Sequence, residues 1–363
     1  MAQSLAAVVT TIQQPLEVRP VPIPEVEPGG VLIKVDAATL CGTDVHVWEG
    51  VSALPDGTPY IPGHETCGTI VEIGGQRKDL LNEPLKVGDR IIATYPFCGH
   101  CYYCTVARQA VLCPNVVPYG RVRCDKAPYL LGGCAQHHYF PPGCDIIRVP
   151  HEVSSPLAAS AACALRTIMH GFEKLGHLGS HDTVLVQGAG PVGLYAAAVA
   201  RDRGANKVLM IGAPADRLRV AKGFGVDDSL NLDDEPDAAK RKDWVLERTN
   251  GRGPDVVLQC AGSPAIVEGL DLVRRGGRLV SIGATGGTIT IPGAVFTAKY
   301  VDVIGIVMAE GRHFYEAINF LATRKREFSF DQMITGTYGL DGVTEALQAM
   351  AEFREVKPVV VPA

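Results

Sequence analysis

The sequence contains no run of about 18 uninterrupted apolar residues, so no segment reads as a membrane-spanning helix. It has no basic run or stripe, and its formal net charge is −5. That balance sets aside nucleic acid and anionic membranes as partners. The opening stretch, MAQSLAAVVTTIQQPLEV, lacks a charged n-region and a long apolar h-region, and the expectation is a cytoplasmic protein. There is no internal repeat and no low-complexity tract.

What is present points to a globular chain of more than one core. Its 363 residues exceed what a single ordinary core organises, so two domains are expected. Residues 1 to about 150 carry short Val/Ile-rich runs, VLIKVDAATL, GTIVEIG and DRIIATY, punctuated by Gly, Pro and Asp. The texture then changes. TVLVQGAG, KVLMIG, DVVLQCAG and RLVSIGA read as strands, and PVGLYAAAVARDRG and ADRLRVAKGFG as helices between them. Such alternation predicts an α/β unit with a parallel, doubly wound sheet. Two more helices, GRHFYEAINFLATR and DGVTEALQAMAEF, and an extended KPVVVP end the chain.

Gly188, Gly190 and Gly193 form G-x-G-x-x-G between a Val-rich strand and an Ala-rich helix, the context that gives the pattern meaning. Gly188 would permit the tight turn, Gly190 the approach of a pyrophosphate, and Gly193 close packing of helix on strand. Pro191 and Val192 open the helix, whose N-terminus favours phosphate. The next strand ends at Gly212, followed by Ala213 and Pro214. No carboxylate stands there to repel a 2′-phosphate, and no Arg or Ser directly follows to bind one. Arg217 could reach either nucleotide. The balance favours NAD over NADP.

There are 11 cysteines. Cys98, Cys101, Cys104 and Cys113 form C-x2-C-x2-C-x8-C, a spacing that predicts a closed tetrahedral zinc site of four thiolates. Four protein ligands leave no position for substrate, so this metal would be structural. Cys41, His64 and Cys163 make a second, scattered group suited to a three-ligand catalytic zinc. No local spacing joins them. His64, beside Pro-Gly, could equally serve a turn, and Cys163 could be a buried core thiol.

With CGTDVH, PGHE, the cysteine cluster and GAGPVG together, the chain resembles the zinc-containing medium-chain dehydrogenase/reductase family, alcohol dehydrogenase type. The resemblance runs from GGVLIKV to KPVVVP. It implies a GroES-like β-rich catalytic domain over 1–163 and 308–363, with a Rossmann coenzyme domain over 164–307. It implies that Cys41, His64 and Cys163 bind a catalytic zinc, and that Glu65 can approach or exchange onto it. Asp44 would orient the zinc histidine, and Thr43 and His46 would relay the proton. The four clustered cysteines would hold a second zinc, although eight residues precede Cys113 where the family has seven. The resemblance further implies an alcohol or carbonyl substrate and a homodimer or homotetramer. The apolar KYVDVIGIVMA is a strand that could pair across such an interface. Trp48 and the segment ATYPF before Cys98 are candidates for the pocket wall, where a threonine at position 94 would leave room for a bulky alcohol.

Two rival readings remain at this stage: a zinc-independent quinone or enone reductase of the same fold, and a non-enzymatic nucleotide-binding sensor. The trio Cys41, His64 and Cys163 argues against the first, and the relay residues argue against the second.

Overall fold

A computed structural model of the chain describes residues 2–52, 54, 56–283 and 287–362. Contacts divide it into two compact units. The first comprises 1–166, 309–324 and 333–363, and the second 167–308 and 325–332.

The first unit opens with β1 (Gln3–Val8), β2 (Glu17–Pro22), β3 (Val31–Thr39), β4 (Glu65–Ile73), β5 (Arg90–Ala93), β6 (His137–Phe140) and β7 (Ile146–Arg148). The second contributes β8 (Thr183–Gln187), β9 (Lys207–Gly212), β10 (Asp228–Asn231), β11 (Val256–Gln259), β12 (Arg278–Ser281) and β13 (Asp302–Gly305). The chain then returns to the first unit with β14 (Ile334–Tyr338) and β15 (Lys357–Val360).

In the first unit, β1 and β2 pair as an antiparallel ribbon, and a larger sheet runs in the order β14-β15-β3-β4-β5-β7, with β6 beside β3. β3 is its axis. Val31, Ile33 and Val35 point into a core shared with Ile70, Ile91 and Phe140, while Lys34 faces out. Leu32 is buried in the same core, so the strand alternates only over residues 33–36, as in an antiparallel sheet with one wet face. Two register shifts lie in the β3–β4 ladder, and beyond them Thr39 pairs directly with Glu65. On the other side of β3, Val359 of β15 pairs with Thr39. The end of β3, the start of β4 and the start of β15 therefore meet at one place.

In the second unit, six strands run parallel in the order β10-β9-β8-β11-β12-β13. β8 and β9 are buried along nearly their whole length, as befits a sheet covered by helices on both faces. Leu185, Leu209, Val257 and Leu279 share one of the buried clusters. The strand order reverses direction between β9 and β11 around β8, so the loop after β8 opens at a topological switch point, where open α/β sheets bind ligands.

Candidate active site

Cys41 follows β3 and is the N-cap of the helix Gly42–Trp48. The amide of Thr43 donates to Cys41 Sγ at 3.3 Å, and the amide of Cys41 donates to Asp44 Oδ2 at 3.0 Å. The cap thus holds the sulfur in place. The second oxygen of Asp44 accepts from the Gly63 amide at 3.1 Å and from His64 Nδ1 at 3.3 Å. One buried carboxylate therefore ties the helix to the loop before β4. His64 directs its free Nε2 at Cys41 Sγ, 3.5 Å away. Cys163 sits in a one-turn π-helix, Ala161–Leu165, that lies against β4. Such turns re-aim a side chain from a continuous helix.

The donor atoms of Cys41, His64, Glu65 and Cys163 all lie within 4.8 Å of one another. Their chemistry fits zinc. A tetrahedral ion with Zn–S about 2.3 Å and Zn–N about 2.0–2.1 Å sets sulfur and nitrogen about 3.5 Å apart, the distance between Cys41 and His64. A hydrogen bond from Cys163 holds the Cys41 thiol well below its ordinary pKa, and nearby His64 adds to the effect. The same shared proton drives Cys163 well upward. Glu65 and Lys357 are both 0% exposed. Burial pushes the Glu65 carboxyl up to about 7 against the pull of Lys357.

The second cluster is equally tight. Cys101 Sγ lies 3.5 Å from Cys104 Sγ and 3.9 Å from Cys113 Sγ, and Cys98 Sγ lies 4.0 Å from Cys104 Sγ. Thiolates around one tetrahedral zinc stand about 3.8 Å apart. The eight residues before Cys113 include Arg108 at φ +52 and a 3-10 turn, Ala110–Leu112. His100 turns back to the Cys98 carbonyl at 2.7 Å and stays out of the cluster. Its backbone amide draws the Cys98 thiol down to about 5. Among the described residues only these two groups could hold a metal.

The candidate coenzyme glycines Gly188, Gly190 and Gly193 follow the end of β8. Gly188 has φ +108, and a Cβ at Gly193 would run into the Gly188 carbonyl oxygen. A Cβ at Gly190 would meet nothing within 4 Å, so the space above it is open. The first amide bond into the following helix is Leu194 to Gly190 at 2.9 Å, which leaves the amides of Val192 and Gly193, just after Pro191, for an anion. Gly212 ends the neighbouring β9, and a Cβ there would stand 2.8 Å from the backbone nitrogen and the Cβ of Ala189. Its lack of a side chain is thus a packing requirement of the turn as well as a missing carboxylate. Arg217 is buried on the helix Ala215–Ala221, and burial lowers its pKa.

Residues 27–151 match the alcohol dehydrogenase GroES-like domain family, and residues 191–323 match the zinc-binding dehydrogenase family. The chain is 32% identical over 364 residues to the 5-exo-hydroxycamphor dehydrogenase of Pseudomonas putida, covering 99% of each. The chain belongs to the zinc-containing medium-chain dehydrogenase/reductase family, alcohol dehydrogenase type. This dehydrogenase also superposes on an alcohol dehydrogenase from Thermotoga maritima with a TM-score of 0.93, 31% identity and full coverage of both chains. A zinc-binding dehydrogenase from Sinorhizobium meliloti bound to NADP matches it with a TM-score of 0.84 and 26% identity, again over the whole of both chains. The first unit is GroES-like and the second a Rossmann fold. The protein is an oxidoreductase that moves hydride between the CH–OH group of an alcohol and NAD(P).

Within the dehydrogenase, Thr43 and His46 lie one turn apart on the helix after Cys41, both half-buried. The pocket-wall candidates separate. Tyr95 places its ring 6.5 Å from the His64 ring, whereas Thr94 is fully buried and its hydroxyl is bonded to the Tyr95 carbonyl and the Asp145 amide. Trp48 is buried, with its indole nitrogen bonded to the Gln14 carbonyl at 3.1 Å, and so serves the core. Two residues that sequence reasoning passed over stand at the site. Lys357 pairs with Glu65 at 2.5 and 2.7 Å, and the Thr39 hydroxyl donates to the same carboxylate. Lys357 lies 292 residues from Glu65 in sequence, and Thr39 lies 26, so neither pairing is visible along the chain.

Proposed function

We propose that Cys41, His64 and Cys163 hold a catalytic zinc, with Glu65 as an exchangeable neighbour, and that Cys98, Cys101, Cys104 and Cys113 hold a second, structural one. The observation that carries this reading is the 3.5 Å approach of Cys41 Sγ and His64 Nε2, with Asp44 on the other ring nitrogen. Zinc in such a site supplies Lewis acidity, acidifying an alcohol hydroxyl and polarising a carbonyl in the reverse direction. The nicotinamide supplies the hydride acceptor.

The chain's own residues do the rest. Asp44 keeps the proton of His64 on Nδ1, so that Nε2 presents a lone pair. The Thr43 hydroxyl would accept the substrate's proton as it gives up its own, and His46 would deliver that released proton to solvent. An imidazole suits that hand-over because its ordinary pKa is about 6.5. Tyr95 forms part of the wall beside His64 and limits which alcohols fit.

NAD is the preferred coenzyme in this reading. Ala213 and Pro214 carry no charge, Arg217 is buried, and Arg219 pairs with Asp216. The protein works as a homodimer or homotetramer. β13 is an outer strand of the six-stranded sheet, and Tyr300, Val303 and Val307 around it are exposed. An open apolar edge of this kind invites pairing with a second copy. Thiolate clusters suit a reducing compartment, in keeping with a cytoplasmic protein.

Metal analysis of the purified protein, together with reduced-coenzyme formation from NAD and NADP over a panel of alcohols, tests the proposal. Roughly two zinc per chain and turnover with NAD are expected. Turnover without any zinc at the Cys41 site would overturn it.

A further inference from the structure

We propose that Lys357 is a positioning residue that holds the Glu65 carboxylate off the metal and so keeps a coordination position free for substrate. The inference rests on Cys41, His64 and Cys163 being metal ligands.

Glu65 is within ligand reach of the site, since its donor oxygen lies within 4.8 Å of those of Cys41, His64 and Cys163. A metal held by those three would have a carboxylate beside it ready to close its fourth position. In this structure both oxygens of Glu65 are already engaged. The Lys357 ammonium stands 2.7 Å from Oε1 and 2.5 Å from Oε2, and the Thr39 hydroxyl donates to Oε2. Neither Glu65 nor Lys357 is exposed to solvent.

A buried carboxylate needs a cation. Two cations compete for this one, the ammonium and the metal ion, and satisfaction by Lys357 removes the carboxylate's need to ligate. The arrangement is held by backbone as well as charge. Lys357 begins β15, the Leu40 amide donates to the Pro358 carbonyl at 3.2 Å, and Val359 pairs with Thr39. The lysine is therefore anchored to the same strand that delivers Thr39 and leads into Cys41. Stability alone is a poor account of the pair, since buried ion pairs seldom outperform apolar side chains of similar volume.

The test uses the full-length protein with cobalt in place of zinc at the Cys41 site, comparing wild type with Lys357→Met, Lys357→Arg and Lys357→Met/Glu65→Gln. Imidazole serves as a probe ligand for the open position. In Lys357→Met the visible cobalt bands should shift, imidazole should no longer perturb them, and release of zinc to a chelator should slow about ten-fold. Lys357→Arg and the double variant should behave as wild type. If Lys357→Met does not fold, Thr39→Val, which loosens the same carboxylate and leaves the charge pair, should change the spectrum and the release rate in the same direction by less. Bands, imidazole response and chelator kinetics that match wild type in the folded variant would overturn the proposal. Wild-type protein that takes up no cobalt with thiolate bands at this site would instead overturn the ligand assignment beneath it.

Discussion

The Asp44 carboxylate accepts from His64 Nδ1 at 3.3 Å while it also receives the amides of Cys41 and Gly63. One side chain thereby ties the helix that begins after Cys41 to the loop that carries His64, and under the proposed zinc assignment it would orient one ligand on each.

Asp44→Asn keeps the shape and removes the charge that fixes the imidazole. Activity should fall about 10- to 100-fold, and zinc at the Cys41 site should exchange faster. Steady-state rates and chelator kinetics, measured together, check this. Unchanged values for both would remove Asp44 from the site's design.

Cys104→Ser breaks the second cluster at the sulfur 3.5 Å from Cys101. Zinc content should drop by about one per chain, and the melting temperature should fall, because a structural metal contributes its binding free energy to folding. A variant that loses catalysis at undiminished thermal stability would contradict the structural role.

The second and third glycines of the turn after β8 should separate fold from ligand. Gly190→Ala adds a methyl into open space, so thermal stability should hold while coenzyme affinity drops. Gly193→Ala drives a methyl into the Gly188 carbonyl, and overpacking there should cost about 1–3 kcal/mol of stability as well. Calorimetry and coenzyme titration of both variants decide it. Equal stability losses would mean that the open space at Gly190 is not a ligand cradle.

His138 is fully buried, its Nδ1 facing the Thr66 hydroxyl at 3.1 Å, and burial pushes its pKa down to about 3. The unfolded chain then binds a proton below about pH 6.5 that the folded chain refuses down to about pH 3. The stability this residue allows is fully present above pH 6.5 and is lost as pH falls through that window. Between pH 7 and pH 5 the loss should be about 2 kcal/mol. His138→Phe should lack this component, which denaturant midpoints at the two pH values would show by comparison with wild type.

Val303→Lys puts a charge on the exposed face of β13. If this strand pairs with a second copy, light scattering should report a smaller species than wild type, since charge on an edge strand opposes strand pairing. An unchanged mass would move the interface elsewhere.

Much of this protein was legible because its signals are local. The four clustered cysteines span 16 residues, so chain connectivity alone brings them together. The glycine turn is likewise a short strand-turn-helix whose backbone demands, φ +108 at Gly188 and contact at Gly193, admit little but glycine. The parallel sheet was legible from the alternation of apolar strands with helices, since strands buried on both faces cannot hide their composition. The trio Cys41, His64 and Cys163 is a weaker signal that the family resemblance sharpens, for no spacing in the sequence connects them.

What tertiary structure alone decided is the setting of those groups. The pairing of Thr39 with Glu65 on one side and with Val359 on the other carries Lys357 to a carboxylate 292 residues away. Just past the end of β5, the fold sets Tyr95 beside His64 and buries Thr94. Close approach of Ala189 explains Gly212 in a way that its position at a strand end does not. Sequence determines which chemistry is available wherever the partners are neighbours along the chain. Where they are neighbours only across strands, burial and strand register choose the partner, and both are properties of the assembled fold.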